Sequence, residues 1–248
     1  MTRGQRATAA AAVGGLVIAA ASAWAMQAHR PARAEQVVAW LHAAADGHDA
    51  AAEQSLAVHA AWGEAEASRA YALLLEHRPG AAAASKRLEV LERAAEAGDA
   101  LAATRLGEVW LTGSAGGKAD ATQALRWLER GAQAGVPEAM RAVGSLALQR
   151  AVEPAQASAG VAWLRRAAEV GDGAAMFLLA NALRAGQGAA ADEREALAWY
   201  ERAADAEYAP ALHALALAYA HGELGLTADG AQSRLMDHEA AEALAHAH

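Results

Sequence analysis

The chain of 248 residues has no cysteine, a single phenylalanine and no excess of basic charge. Without cysteine there are no disulfides, no thiolate nucleophiles and no cysteine-based zinc sites, although this does not select a cellular compartment. A formal net charge of −8 argues against a nucleic-acid partner, because such partners are held by lysine and arginine on phosphates. The acid is spread along the chain and not gathered into a tail. Aromatic residues make up 5% of a sequence that is 55% hydrophobic, and alanine supplies the difference. Alanine is the best helix former and loses no side-chain entropy on ordering, so this composition favours closely packed helices over a sheet. An all-α protein is predicted.

Local context for catalysis is also missing. There is no HExxH, no Ser/His/Asp arrangement with a recognisable setting, and no glycine loop following a strand; the glycines from Gly113 to Gly117 read as a turn. His238, His246 and His248 are spaced by eight and two residues. A zinc site needs three or four convergent ligands, so adventitious affinity is the reading for these histidines. No cofactor, no metal and no enzymatic activity are expected.

Arg3 and Arg6 precede an uncharged run from Ala7 to Ala28, centred on Val13, Leu16, Val17 and Ile18. Residues 1–28 read as a signal peptide, with the small residues for cleavage near Ala23 or Ala25, or as an N-terminal membrane anchor. The 22 uncharged residues, at about 1.5 Å each, are long enough to span a hydrocarbon core of about 30 Å. Both readings export the body of the protein, to the periplasm after cleavage or onto the inner membrane facing it.

Residues 34–246 carry a repeat. Trp40, Val90, Trp127, Trp163 and Trp199 form a ladder with spacings of 50, 37, 36 and 36 residues, and periods of this size mark stacked supersecondary units. The units start near residues 37, 87, 124, 160 and 196. Four and five positions after each rung come Ala44-Ala45, Ala94-Ala95, Gly131-Ala132, Ala167-Ala168 and Ala203-Ala204, small enough for a second helix to approach. The ladder residues are expected between helices, in the interior of each unit. The first helices are predicted to stop at Gly98, Gly135 and Gly171. His48 and Glu207 stand where this rule asks for glycine; Gly47 is expected to serve for the first, and a shifted turn for the second. Each second helix carries a buried face such as Ala175/Leu179/Ala180, closed by Gly63, Gly113, Gly186 or Gly222, with Arg150 the exception. Asp120-x-x-Gln123, Asp192-x-x-Glu195 and Asp229-x-x-Gln232 read as capping boxes at helix starts. The last helix, 231–246, has Met236 on the ladder and Asp237 in the next apolar slot, as suits a terminal cap.

The run A-x-x-W-L/Y-x-x-A-A-x-x-G followed by A-x-x-x-L-G/A-x-x-x-x-x-G resembles the Sel1-like repeat, from about Val37 to His246 and with departures at His48, Arg150 and Glu207. The resemblance implies a right-handed α/α superhelical solenoid of about five hairpin repeats plus the capping helix, similar to tetratricopeptide arrays and used as a protein-binding scaffold. Many members of the family are secreted or envelope proteins of bacteria. Some carry a disulfide in each repeat, so this cysteine-free chain relies on packing alone.

Between Gly63 and Val90 the longer spacing leaves an insertion. Glu64 to His77 reads as helical and is stopped by Arg78-Pro79-Gly80, either as a separate helix or as an extension of the preceding one kinked at Gly63. Arg93, Arg130, Arg166 and Arg202 lie three residues after the rungs. They are candidates for holding a carboxylate-rich partner, although Glu96, Glu169 and Asp205 three residues further on are expected to pair with them. Trp62 and Trp110 are candidate anchors for a partner, Trp110 also reading as core-edge because it shares its register with Ala147, Leu183 and Tyr219. The function expected is an exported, non-enzymatic scaffold in the bacterial envelope, contacting another protein through the concave surface of successive first helices. The alternatives are a protein that binds or hydrolyses cell-wall fragments and a structural spacer of an envelope complex.

Overall fold

The computed structural model describes residues 31–113, 118–151 and 153–246. The segment read as signal peptide or anchor lies outside the described residues, as does His248. The described residues form twelve α-helices and no strand. None of these helices is long and apolar enough to cross a membrane. The chain divides into two compact units between Ala70 and Tyr71.

The first unit contains α1 (Ala34–Asp46) and α2 (Ala50–Ala61), which pack on each other through Val37, Ala44, Ala52, Leu56 and Ala60. Asp49 caps α2 by accepting from the amides of Ala51 and Ala52 at 2.8 and 3.3 Å. Gly63, with φ +84°, turns the chain before α3 (Ala65–Glu76), so the insertion holds a separate helix and not a kinked continuation of α2. The division between the units falls within α3.

The second unit continues with α4 (Ala81–Glu96), α5 (Ala100–Thr112), α6 (Ala121–Gln133), α7 (Pro137–Arg150), α8 (Pro154–Glu169), α9 (Gly173–Ala185), α10 (Glu193–Asp205), α11 (Ala209–His221) and α12 (Gly230–His246). Each of these helices packs on the next. The ladder sits on α4, α6, α8 and α10. The deepest side chains are the residues just after the rungs, Leu91, Leu128, Leu164 and Tyr200, all at 1% exposure or less. Leu106 and Leu179 on the intervening helices are also fully buried, and Leu179 shares one core cluster with Leu128, Leu164 and Tyr200. The small pairs do what their size suggests: Ala94, Ala95, Gly131, Ala132, Ala167, Ala168 and Ala203 are all buried. The rungs themselves lie nearer the surface. Val90, Trp127 and Trp199 are buried, but Trp40, Trp163 and Met236 are only half-buried.

The turns after the ladder helices need a left-handed residue, and they obtain it with or without glycine. Gly98, Gly135 and Gly171 have φ of +97°, +94° and +99°, and Glu207 takes the same conformation at +55°. The turn around Glu207 is not shifted. The amide of Tyr208 bonds the carbonyl of Ala203 at 3.0 Å, matching Asp172 on Ala167 at 3.1 Å and Val136 on Gly131 at 3.0 Å. His48 likewise takes φ +52°, while Gly47 is right-handed at −90° and does not substitute for it. A Cβ placed at Gly98, Gly135 or Gly171 would meet no atom within 4 Å. Glycine is favoured at these positions by backbone conformation and not by space, so a side chain fits there at the cost of strain.

Capping follows the predicted aspartates but not the full box. Asp120 accepts from Thr122 and Gln123, Asp192 from Glu195, and Asp229 from Ala231 and Gln232. The amides of these three aspartates turn backwards instead, to the carbonyls of Trp110, Leu183 and Tyr219 at 2.8, 3.0 and 2.8 Å. Each loop is thereby closed onto the helix it leaves, and the reciprocal arm of the box is not needed.

Candidate functional site

The structure explains where the four arginines go. In a helix the Cα–Cβ bond tilts towards the amino terminus, so a long side chain reaches back over the preceding turn. Arg130 lies over the ring of Trp127 at 4.8 Å, Arg166 over Trp163 at 4.4 Å and Arg202 over Trp199 at 4.1 Å. Arg126 takes a second place near the Trp127 ring, at 4.8 Å. Arg93 has valine three residues before it and reaches instead to Glu89 at 2.7 Å. The expected pairs with Glu96, Glu169 and Asp205 do not form, although Arg105 reaches forward to Glu108 at 3.0 Å in the same way; at Arg166 and Arg202 the indole behind takes the guanidinium instead, and at Arg93 Glu89 does. Arg130, Arg166 and Arg202 are exposed and make no ion pair among the described residues. The arrangement is three like rungs on α6, α8 and α10, each a guanidinium over an indole.

A carboxylate ties two of these helices together. Glu195 on α10 accepts from Arg165 on α8 at 2.5 Å and from the Trp199 indole at 3.2 Å. Those hydrogen bonds, Arg165 first, hold its carboxyl below the ordinary carboxylate value. Glu92 on α4 moves the other way: burial raises its pKa, Glu96 adds to the rise, and Arg126 opposes it. Tyr200 donates to Asn181, the only asparagine in the chain, at 2.5 Å, and burial raises the phenol's pKa. Arg141 on α7 pairs with Asp172, the cap of α9, at 2.9 Å.

The other candidates separate. Trp62 is 44% exposed at the end of α2, with its ring edge-on to His59 at 5.1 Å. His59 also meets the Trp40 ring at 5.0 Å and pairs with Glu64 at 2.9 Å. Trp110 is half-buried on α5, and its indole Nε1 is buried with no hydrogen-bond partner among the described residues. His238 pairs with Glu242 at 3.7 Å, and among the described residues no three histidines or carboxylates converge on a metal position. Asp237 is exposed and meets His213 at 3.1 Å.

One surface feature had no sequence signal of its own: a groove of about 380 Å³ between α6, α7 and α8, floored by Leu125, Val143, Ala147 and Trp163. It arises from a difference in connection length. That difference becomes visible only when the helix ends are known.

Stacked helix pairs with a repeating surface define a helical repeat protein. The family model of the Sel1 repeat matches residues 100–136, 137–172, 173–208 and 209–243, more than half of the chain. The chain belongs to the Sel1 repeat family. Its matched repeats begin at α5, α7, α9 and α11, so in each of them the ladder helix comes second. Proteins of this family generally mediate protein–protein interaction and are typically non-catalytic scaffolds. Among solved structures, the chain is similar to a protective antigen present in uropathogenic Escherichia coli strains that displays an SLR fold. Identity is 26% and the TM-score 0.68, over 77% of this chain and 43% of that protein. It is also similar to a Sel1 repeat protein from Oxalobacter formigenes, at 25% identity and TM-score 0.67, over 76% of this chain and 75% of that one. The chain thus spans less than half the length of the Escherichia coli antigen. No curated protein matches it.

Proposed function

We propose that this protein is an exported, non-enzymatic adaptor that binds another protein in the bacterial envelope through the face formed by α6, α8 and α10. The observation that carries this reading is the threefold repetition of an unpaired arginine stacked on a ladder tryptophan. Stacking restricts the guanidinium before any partner arrives, so less side-chain freedom is lost on binding. The planar donor edge of each arginine remains able to take a carboxylate. A partner presenting acidic side chains at the spacing of successive repeats is the fitting occupant. Arg93, already paired with Glu89, stands at the end of this row as a weaker contributor. Export is supported by the basic start and uncharged run of residues 1–28.

Cross-linking in the native cell, followed by affinity capture and mass spectrometry, tests the reading, with the wild type compared with an Arg130→Glu/Arg166→Glu/Arg202→Glu variant and cell fractions recorded in the same preparation. One envelope protein enriched by the wild type and lost with the variant is expected. Recovery of the chain in the cytoplasm, or equal capture by both forms, would remove the proposal.

A further inference from the structure

The connection between α7 and α8 is unlike its counterparts. Seven residues separate α9 from α10 and eight separate α11 from α12, but three separate α7 from α8. No residue has been deleted, since Trp127 to Trp163 and Trp163 to Trp199 are both 36 positions. Instead α7 runs one residue further, and α8 starts three residues earlier than α10 does, with Pro154 in its first turn. Residues that elsewhere form a loop are here wound into helix, which rises only about 1.5 Å per residue.

The longer loops cover something. In the α9–α10 loop, Gly188 has φ +75° and lies so close on α8 that an added Cβ would fall 2.9 Å from Val161 and 2.6 Å from the carbonyl carbon of Ala157. One repeat later Leu224 takes the same register with φ +57°, and it is buried at 5% exposure. One repeat earlier the residues matching Ala157 and Val161 are Ala121 and Leu125. Val161 is buried beneath its loop, whereas Leu125 is half-buried and lines the 380 Å³ groove. Ala147, also in the groove, holds the register at which Trp110, Leu183 and Tyr219 receive the returning cap amide. At the start of α8 that amide, on Glu153, turns to Gln156 instead, at 3.3 Å.

We propose that this groove is a docking site for a turn of a partner protein that presents a leucine beside an acidic residue, seated as the chain's own loop seats Leu224. The chemistry is argued from that loop. In it, Glu223 precedes Leu224 and pairs with Arg184 at 3.6 Å. The groove carries the complement, Arg150 at its rim, exposed and without an ion pair among the described residues. Glu129 and Gln156 add acceptors for the amides of an extended segment, and Trp163 supplies an aromatic wall. The inference rests on the reading of the chain as a protein-binding scaffold but uses a different surface from the arginine row.

The probe is an acetylated, amidated hexapeptide copying residues 222–227, Gly-Glu-Leu-Gly-Leu-Thr, titrated into the ¹⁵N-labelled full chain. A saturable shift of the Trp163 indole resonance, assigned with Trp163→Phe, is expected. A control peptide with both leucines replaced by alanine should leave it in place. Ala147→Leu and Ala159→Leu fill the groove and should each weaken binding at least tenfold; Ala159 is exposed, so its variant serves if the other does not fold. An Arg130→Glu/Arg202→Glu variant should bind the peptide as the wild type does, which separates this test from that of the arginine face. No shift at Trp163, an equal shift with the control peptide, or unchanged binding by the filled variants would overturn the proposal.

Discussion

At Trp163 the indole carries a guanidinium over its ring and also lines a groove, while Leu164 beside it is fully buried. The order of mutational cost follows from that difference. Leu164→Ala should lose about 2–5 kcal/mol, as a buried leucine truncation does, and Trp163→Ala should lose less, because its ring is only partly withdrawn from water. Urea melts of the two variants check the ranking, and the reverse order would return the tryptophans to the centre of the repeat. At the turn after α10, Glu207 sits in the left-handed region where its counterparts are glycine. Glu207→Gly should therefore stabilise the protein by about 1 kcal/mol, since only the conformational penalty is removed. An unchanged melt would mean the strain is relieved elsewhere. Glu195 has its carboxyl depressed in the folded state, so its contribution is present above the ordinary value of 4.5 and is lost as pH falls through the lower folded value. The stability difference between wild type and Glu195→Gln should shrink on acidification below about pH 4.5, and because the side chain is about one-third exposed the difference is small at any pH.

At the scale of the helix, two kinds of glycine carry different loads. Gly144 on α7 and Gly160 on α8 face each other, and a Cβ at Gly144 would fall 2.8 Å from the Gly160 carbonyl oxygen. Backbone cannot give way as a side-chain tip can. Gly144→Ala should cost about 1–3 kcal/mol through overpacking, despite alanine's better helix propensity, and thermal unfolding would show it. The same change at Gly171 meets no atom, and its cost is that of φ alone. The repeat motif shows both positions as small residues, but it does not show which is small for space and which for conformation. The capping aspartates were readable for a similar reason: an Asp before an apolar run is a local signal. Where the capping aspartate's own amide bonds is decided by the previous helix, about ten residues earlier, and no local pattern reports it.

For the whole molecule, packing is unequal along the chain. The stretch from α6 to α11 buries Leu128, Leu164, Leu179, Leu183 and Tyr200 almost completely, whereas α12 has Ala240 as its one buried residue and α1 has Val37 and Ala44. Repeat arrays are held by nearest-neighbour contacts, so local stability should follow this gradient. Hydrogen exchange should proceed first in α12 and α1 while amides of α9 remain protected; uniform protection would show that the array unfolds as one cooperative block. The Asp237 charge in the register of Leu128, Leu164 and Tyr200 is met by His213 at the surface.

The repeat, its period, the helix starts after Asp120, Asp192 and Asp229 and the family were legible in the order of residues. Each of these rests on contacts within a turn or between adjacent helices, and a 36-residue period writes the same local rules several times. The tertiary structure alone decided three matters. It set Arg166 and Arg202 back over Trp163 and Trp199 and not forward onto Glu169 and Asp205, a choice between two neighbours that sequence spacing leaves open. It moved the deepest core from the tryptophans to the residues after them, because depth depends on where the next helix lies. It also wound the α7–α8 connection into helix at unchanged residue count, leaving a groove that spacing along the chain has no means to register.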